Sequence, residues 1–347
     1  MSESSKDTSP ISRANSLIPF VLCLVTLGWS TVLLFAGGFT TSIGAGMAFL
    51  DWPLSNGSLN PEGWTQDLDQ LAEHSHRLAG KVIGLLSILL AVAFGYLESR
   101  SSVRKMAYVL LALVIFQGIL GGLRVLLDTQ NIGTDSNVIA QSFAVSHAMG
   151  AQAVVLLLTT MTVVTSPSWT LGTQGKLENT SSLARMVGVG TLIVLSVSIL
   201  FGAITRHTGA GLAITTFPSA AADGSWLPDQ YTFSVWVHFL HRTMGIMGAI
   251  GIWLYAYTYW RDTRLPKTGR LLALAPVLLV LFQIWLGILI LQTYRNPHVT
   301  TLHMLNGAFI LASLWASILW TYTRPKVKSN RTASKNEAET AHPIHAN

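Results

Sequence analysis

Long apolar stretches separated by short polar ones dominate the chain. Eight of them approach the ~20 residues an α-helix needs to cross ~30 Å of hydrocarbon. They run over Leu17 to Phe39, Leu78 to Leu97, Met106 to Leu127, Phe143 to Val164, Met186 to Ile204, Thr243 to Trp260, Leu271 to Thr293 and Val299 to Trp320. What lies between them is too short for a soluble domain, so the pattern predicts an all-α integral membrane protein with eight transmembrane helices. Composition agrees: half of the 347 residues are hydrophobic and only 11% charged, with a mean hydropathy of +0.47, outside the range of ordinary soluble domains.

Charge sets the expected orientation. Of the 22 Lys and Arg, 16 fall in the N-terminal tail, in the three loops that follow the second, fourth and sixth spans, and in the C-terminal tail. Basic residues in short loops are retained on the cytoplasmic side, so both termini are expected to be cytoplasmic. The stretch from Thr40 to Ala72 has no Lys or Arg but carries Asp51, Glu62, Asp67 and Asp69, as suits an outer loop. The basic balance needs only this asymmetry and implies no nucleic-acid partner. The first apolar run exceeds a signal-peptide core and no A-x-A site follows, so it is expected to stay as an anchor. The N-terminal tail MSESSKDTSPISRANS holds acids and is not Arg-rich, which points away from a mitochondrial transit peptide and toward a bacterial inner (cytoplasmic) membrane. The single cysteine, Cys23, lies in the first span and leaves no intrachain disulfide.

The two halves of the chain match each other. GGFTTSIGAGMAFLDWP begins at Gly37, and GAITRHTGAGLAITTFP begins 165 residues later at Gly202. At the same offset EHSHRLAG, from Glu73, falls on HFLHRTMG, from His238, pairing His76 with His241, Arg77 with Arg242 and Gly80 with Gly245. FQGILGGL at Phe116 and FQIWLGIL at Phe282 follow in order, each leading to a helix with a histidine near its start, His147 or His303. This predicts two tandem four-helix bundles related by internal duplication. The expected divisions are a cytoplasmic tail (1–16), an N-terminal bundle (17–165), a cytoplasmic linker (166–185), a C-terminal bundle (186–323) and a cytoplasmic tail (324–347).

Of ten histidines, His342 and His345 lie in the polar C-terminal tail. His76, His147, His241 and His303 are expected at the outer ends of the even-numbered spans, at similar depth. One such histidine is readily explained as an interfacial side chain. Four at repeat-related positions are better explained as ligand pairs, two imidazoles holding an iron porphyrin from both faces. Gly80, Gly245, Gly150 and Gly307 lie three or four residues beyond these histidines, where a missing side chain would admit a flat ring; close helix packing is the alternative. Arg77 and Arg242 could pair with a propionate, with Glu73 as the competing partner for Arg77. Zinc or copper fits less well, because no cysteine is near and no tight cluster forms. The halves differ three residues before the first histidine: Glu73 stands where the second half has His238. A carboxylate there is a candidate general base, and capping the helix or pairing with Arg77 is the alternative.

The E-x-x-H-R of Glu73, His76 and Arg77, its repeat H-x-x-H-R at His238, His241 and Arg242, the late His147 and His303, and the loop GGFTTSIGAGMAFLDWPLSNG together resemble the haem A synthase family, over about Pro19 to Trp320. The resemblance implies an enzyme that oxidises the C8 methyl of haem O to the formyl of haem A by two successive hydroxylations, for cytochrome oxidase biogenesis. It implies haem O as substrate between His76 and His147, with Arg77 and Gly80 beside it, and a bis-histidine haem b on His241 and His303, with Arg242 and Gly245. Glu73 would be catalytic, and both haem sites would face the outer side. Many members carry a cysteine pair in the first outer loop; this chain has none there and looks like the cysteine-free class. Partners implied are haem O synthase and oxidase assembly factors in the same bilayer, and homo-oligomerisation stays open. A dihaem b-type electron-transfer cytochrome linked to quinol would need the same histidines without Glu73, and a haem transporter would use the same repeats. Against a transporter, the ionisable residues cluster at one side of the membrane. His74, Lys81, His207, His238 and His298 receive no role.

Overall fold

The structure is a computed structural model and describes residues 10–129, 137–172, 182–262 and 267–322. Its elements are helices α1 (Pro10–Ser42), α2 (Leu68–Leu97), α3 (Ser101–Thr129), α4 (Val138–Thr165), the short α5 (Pro167–Gly172), α6 (Ser182–His207), α7 (Phe233–Arg261), α8 (Lys267–Gln292) and α9 (Pro297–Trp320), with one 3₁₀ turn at Ala210–Leu212. Among the described residues, seven helices are long and apolar enough to cross a membrane: α1 to α4, α6, α8 and α9. The chain is thus an all-helical, multi-pass membrane protein. Helix α7 is as long as the others, but its Tyr, Trp, His and Arg side chains dilute its apolar character.

Two helices begin well before the expected apolar runs. Helix α2 starts ten residues before Leu78, where Asp67 caps it by accepting the Gln70 amide at 2.9 Å. Helix α7 starts ten residues before Thr243, with Thr232 accepting the Val235 amide. The apolar pattern marks the hydrocarbon-facing part of a helix, whereas capping fixes where the backbone begins to coil. Glu73, His76, His238 and His241 therefore sit inside helices rather than at their edges. The expected tail 324–347, with His342 and His345, lies outside the described residues, as do parts of the tail 1–16 and the linker 166–185. Of these last two segments, Pro10 onward belongs to α1, and α5 occupies part of the linker.

Helices α1 to α4 pack around one another in sequence, and α6 to α9 do the same; α1, α4, α6 and α9 form the seam between the two sets. Each set closes on an aliphatic and aromatic core. Cys23, Leu90, Phe94, Leu110, Leu158 and Met161 fill one, and Ile252, Tyr255, Tyr259, Leu311, Leu314 and Ile318 fill the other. The surfaces facing away carry large apolar side chains, such as Leu85 at 57% and Leu278 at 68% exposure, as a helix bathed in lipid requires. Serine and threonine hydroxyls inside the spans bond back to carbonyls three or four residues earlier, as Thr159 does to Val155 at 2.8 Å, which satisfies them where water is absent.

Candidate functional site

The histidines form two facing pairs. Rings of His76 on α2 and His147 on α4 lie with centroids 6.4 Å apart and planes at 84°. Rings of His241 on α7 and His303 on α9 lie 6.2 Å apart at 72°. An imidazole binds a metal ion at about 2 Å, so one ion shared by two rings sets their centroids about 6 Å apart; both pairs have this spacing. Among the described residues no group of three or more His, Cys, Asp or Glu side chains could hold a metal ion. Two facing imidazoles would suit a metal group that brings its remaining ligands with it.

Hydrogen bonds prepare one ring of each pair. His147 Nδ1 donates to the Gln117 carbonyl at 3.1 Å and His241 Nδ1 to the Ser198 carbonyl at 2.8 Å. That leaves the Nε2 lone pair for a ligand, since the bond made by one ring nitrogen fixes the role of the other. The buried Nδ1 of His76 and of His303 faces the backbone of Leu33 and of Gln283 in the same way but falls outside good hydrogen-bond geometry.

Glycines back the rings. A Cβ on Gly37 of α1 would lie 2.6 Å from His76 Cε1, and one on Gly202 of α6 would lie 2.8 Å from His241 Cε1. Gly121 of α3 and Gly287 of α8 approach His147 and His303, with Cβ distances of 3.3 and 3.5 Å. These four glycines escape a reading by helical spacing, because they lie on neighbouring helices; the signal available was their recurrence at matching places in the two halves. Of the glycines expected beside the ligands, Gly80 faces open space and Gly245 has only Ser198 Oγ near, at 3.7 Å. Gln117 fills the space at Gly150, and Gln283 Nε2 lies 3.6 Å from the Gly307 Cβ position. Gln283 also donates to the His303 carbonyl at 3.0 Å and accepts from Asn306 at 2.7 Å. We expect Gly37→Ala to push the His76 ring out of place and to weaken ligand binding at the first pair while leaving the second pair unchanged, read from the absorption spectrum of the ligand-loaded protein.

Glu73 is 4% exposed. Its Oε2 accepts the Phe49 amide at 3.0 Å, and its Oε1 accepts Arg77 Nε at 3.1 Å. Arg77 also donates to the carbonyls of Phe49, Asp51 and Leu54. Its guanidinium is therefore engaged by Glu73 and by the loop preceding α2. His74, buried beside it, bonds Ser55 Oγ at 3.0 Å and packs at a tilt against the rings of Trp64 and Phe49. The Trp52 ring of the same loop packs where a Cβ on Gly122 of α3 would stand. The loop thus spans from the His76 helix to the residue next to Gly121, over the first pair.

In the second set, His238 Nδ1 accepts the Ile214 amide at 3.2 Å, and Arg242 donates to the carbonyls of Pro218 and Ser219 at 3.1 and 3.0 Å. Arg242 Nη1 is buried without a partner. Lys81 is exposed, and the His298 ring lies 5.2 Å from Phe39.

Asp51 organises the loop over the first pair by accepting the Asn56 and Gly57 amides, both at 2.8 Å. Residues Asn56 and Gly57 have φ of 51° and 71°, a left-handed turn that suits Asn and Gly. Burial is the largest single influence on Asp51 and works against its charge, but the Gly57 and Asn56 amides and the Arg77 guanidinium together outweigh it and hold the carboxyl below its ordinary value. A depressed folded pKa contributes order that is fully present above the unfolded value and is lost as pH falls through the folded one. Hydrogen exchange at Asn56 and Gly57 should therefore, after correction for the intrinsic rate, show constant protection from neutral pH to about pH 5 and lose it below the ordinary carboxylate range.

Fold and site together define a multi-pass helical membrane protein built around two inward-facing histidine pairs. The family model COX15-CtaA, described as "Cytochrome oxidase assembly protein", matches residues 20–315. The chain is 29% identical over 296 residues to "Heme A synthase" of Geobacillus kaustophilus, covering 82% of this chain and 84% of that protein. It is 27% identical over 307 residues to "Heme A synthase" of Shouchella clausii, covering 86% and 94%, and 27% identical over 340 residues to "Heme A synthase COX15" of Homo sapiens, covering 85% and 80%. The chain belongs to the haem A synthase (COX15/CtaA) family of cytochrome oxidase assembly proteins.

Proposed function

We infer that this chain is a haem A synthase, a membrane-bound enzyme that converts haem O to haem A for cytochrome oxidase assembly. The observation that carries the reading is the recurrence of one arrangement, a facing histidine pair backed by glycine and spaced for a single coordinated ion, in a chain of this family. The finer assignment is that the reaction oxidises the C8 methyl to a formyl by two hydroxylations.

The duplication gains support from hydrogen bonds at positions 165 apart. Phe49 N bonds Glu73 as Ile214 N bonds His238, and Arg77 reaches Leu54 O as Arg242 reaches Ser219 O. We read α7 as the eighth span on the same ground. His241 and His303 hold haem b, with Arg242 Nη1 free for a propionate and Gly245 beside the ring. The bound haem b supplies electron-transfer capacity. His76 and His147 hold the substrate haem, with Gly80 open beneath it; Arg77 acts there through the loop it grips. Glu73, buried at the edge of that pocket, is the residue placed to stabilise a developing cation or move a proton. The sites face the outer side of a bacterial cytoplasmic membrane, with both termini inside. Haem O synthase and oxidase assembly factors are the expected neighbours.

Introduced into a strain that makes haem O but no haem A, the chain should restore the spectrum of a haem A-containing oxidase. Accumulation of haem-loaded protein without that spectrum would overturn the reading.

A further inference from the structure

We propose that Arg206 binds a carboxylate of the group held by His241 and His303, and that it positions this second pair against the first. The proposal rests on the haem reading above and assigns a residue which that reading leaves out.

Arg206 lies in the last turn of α6, four residues beyond Gly202, whose Cα lies against the His241 ring. Residues four apart share a helix face, so Arg206 stands one turn above the ring. His303 lies within its electrostatic range. One guanidinium nitrogen, Nη2, donates to the Gly38 carbonyl of α1 and to Ser42 Oγ at 2.7 Å. Ser42 Oγ in turn shares a hydrogen bond of 3.0 Å with Thr301 Oγ1, a fully buried hydroxyl two residues before His303. Helix α1 meets both sets at adjacent glycines: Gly37 faces His76, while a Cβ on Gly38 would meet Met304 and Thr301 on the helix that carries His303. Arg206 is tied to this narrow wall between the sites.

Its charge is unbalanced. No carboxylate forms an ion pair with Arg206 or with Arg295 among the described residues, and the two arginines are within electrostatic range of each other. A partly buried guanidinium that also feels a second, exposed one is costly without an anion. The Nε and Nη1 donors of Arg206 carry no hydrogen bond to any described residue, and Nη1 can donate a charge-assisted hydrogen bond to a carboxylate oxygen while Nη2 stays on α1. A carboxylate on the rim of a ring clamped by His241 and His303 meets that requirement.

The test is the midpoint potential of the bis-histidine haem in the purified full-length protein, together with its rate of loss to apomyoglobin. Arg206→Gln removes a cation that disfavours the oxidised centre, so the potential should fall by about 59 mV, a tenfold change in the oxidised-to-reduced ratio, and haem loss should be at least several-fold faster. Ser42→Ala removes the hydroxyl that Arg206 and Thr301 share without changing charge and should leave the potential where it was. Should the glutamine variant fail to accumulate, Arg206→Lys keeps the charge but loses the planar donor set, and faster haem loss is still expected. A haem-loaded wild type with neither quantity changed in Arg206→Gln, or with haem loss unchanged in Arg206→Lys, overturns the role of Arg206 alone. A wild type without any bis-histidine haem overturns the haem reading as well.

Discussion

Replacing His241 or His303 with alanine should remove the low-spin haem b signal and stop haem A formation, while the pair at His76 and His147 stays intact. Each ring sits within one facing pair, 6.2 Å from its partner, and no third His, Cys, Asp or Glu among the described residues is placed to substitute. Disturbing only the groups that orient a metal ligand typically costs about 10–100-fold in affinity, so deleting the ligand should lower haem b occupancy by at least that factor. Replacing His76 or His147 should do the reverse, leaving haem b in place and abolishing turnover. Pyridine haemochrome content and the low-spin resonance of each variant separate the two outcomes. Loss of both signals together from every variant would show that the pairs do not act as separate sites.

Glu73→Gln should keep haem b and stop the chemistry. Glutamine can still accept the Phe49 amide through its carbonyl, and Arg77 keeps its bonds to the carbonyls of Phe49, Asp51 and Leu54, so the loop over the first pair is retained. What disappears is the buried charge and the ability to take up a proton. A positioned acid or base typically contributes about 10²–10⁴-fold, and haem A formation should drop on that scale with haem O accumulating. A dihaem electron carrier has no use for this carboxylate and would be unaffected. The contacts give Glu73 a structural task beside the proposed catalytic one, because it fastens the loop through Phe49 and Arg77. Arg77→Met separates the two tasks: it should loosen the loop while leaving the carboxylate, and its defect should be milder than that of Glu73→Gln.

Much of this was legible in the sequence for definite reasons. Apolar runs locate helices because lipid demands a nearly unbroken apolar surface, and the matching motifs of the two halves single out His76, His147, His241 and His303, which the structure brings together as two facing pairs. Helix starts were less legible. Asp67 and Thr232 begin α2 and α7 ten residues outside the apolar runs, since a cap answers to local hydrogen bonding rather than hydropathy. The role of Arg77 also depends on contacts that spacing cannot reveal: Glu73 is one turn away, but the three loop carbonyls that complete its shell come from residues more than twenty positions earlier. Gly37, Gly121, Gly202 and Gly287 were hidden for the same reason, as each serves a histidine on another helix. Arg206 reaches across to α1, a contact between the halves that comparing one half with the other does not expose.

The most direct test of the account is chromatography of the haem extracted from a host that makes haem O and no haem A and expresses this chain, with Glu73→Gln in parallel. The account predicts haem A from the wild type, and haem b with haem O but no haem A from the variant. Haem b and haem O alone from a haem-loaded wild type, with neither haem A nor a hydroxylated form, would contradict it.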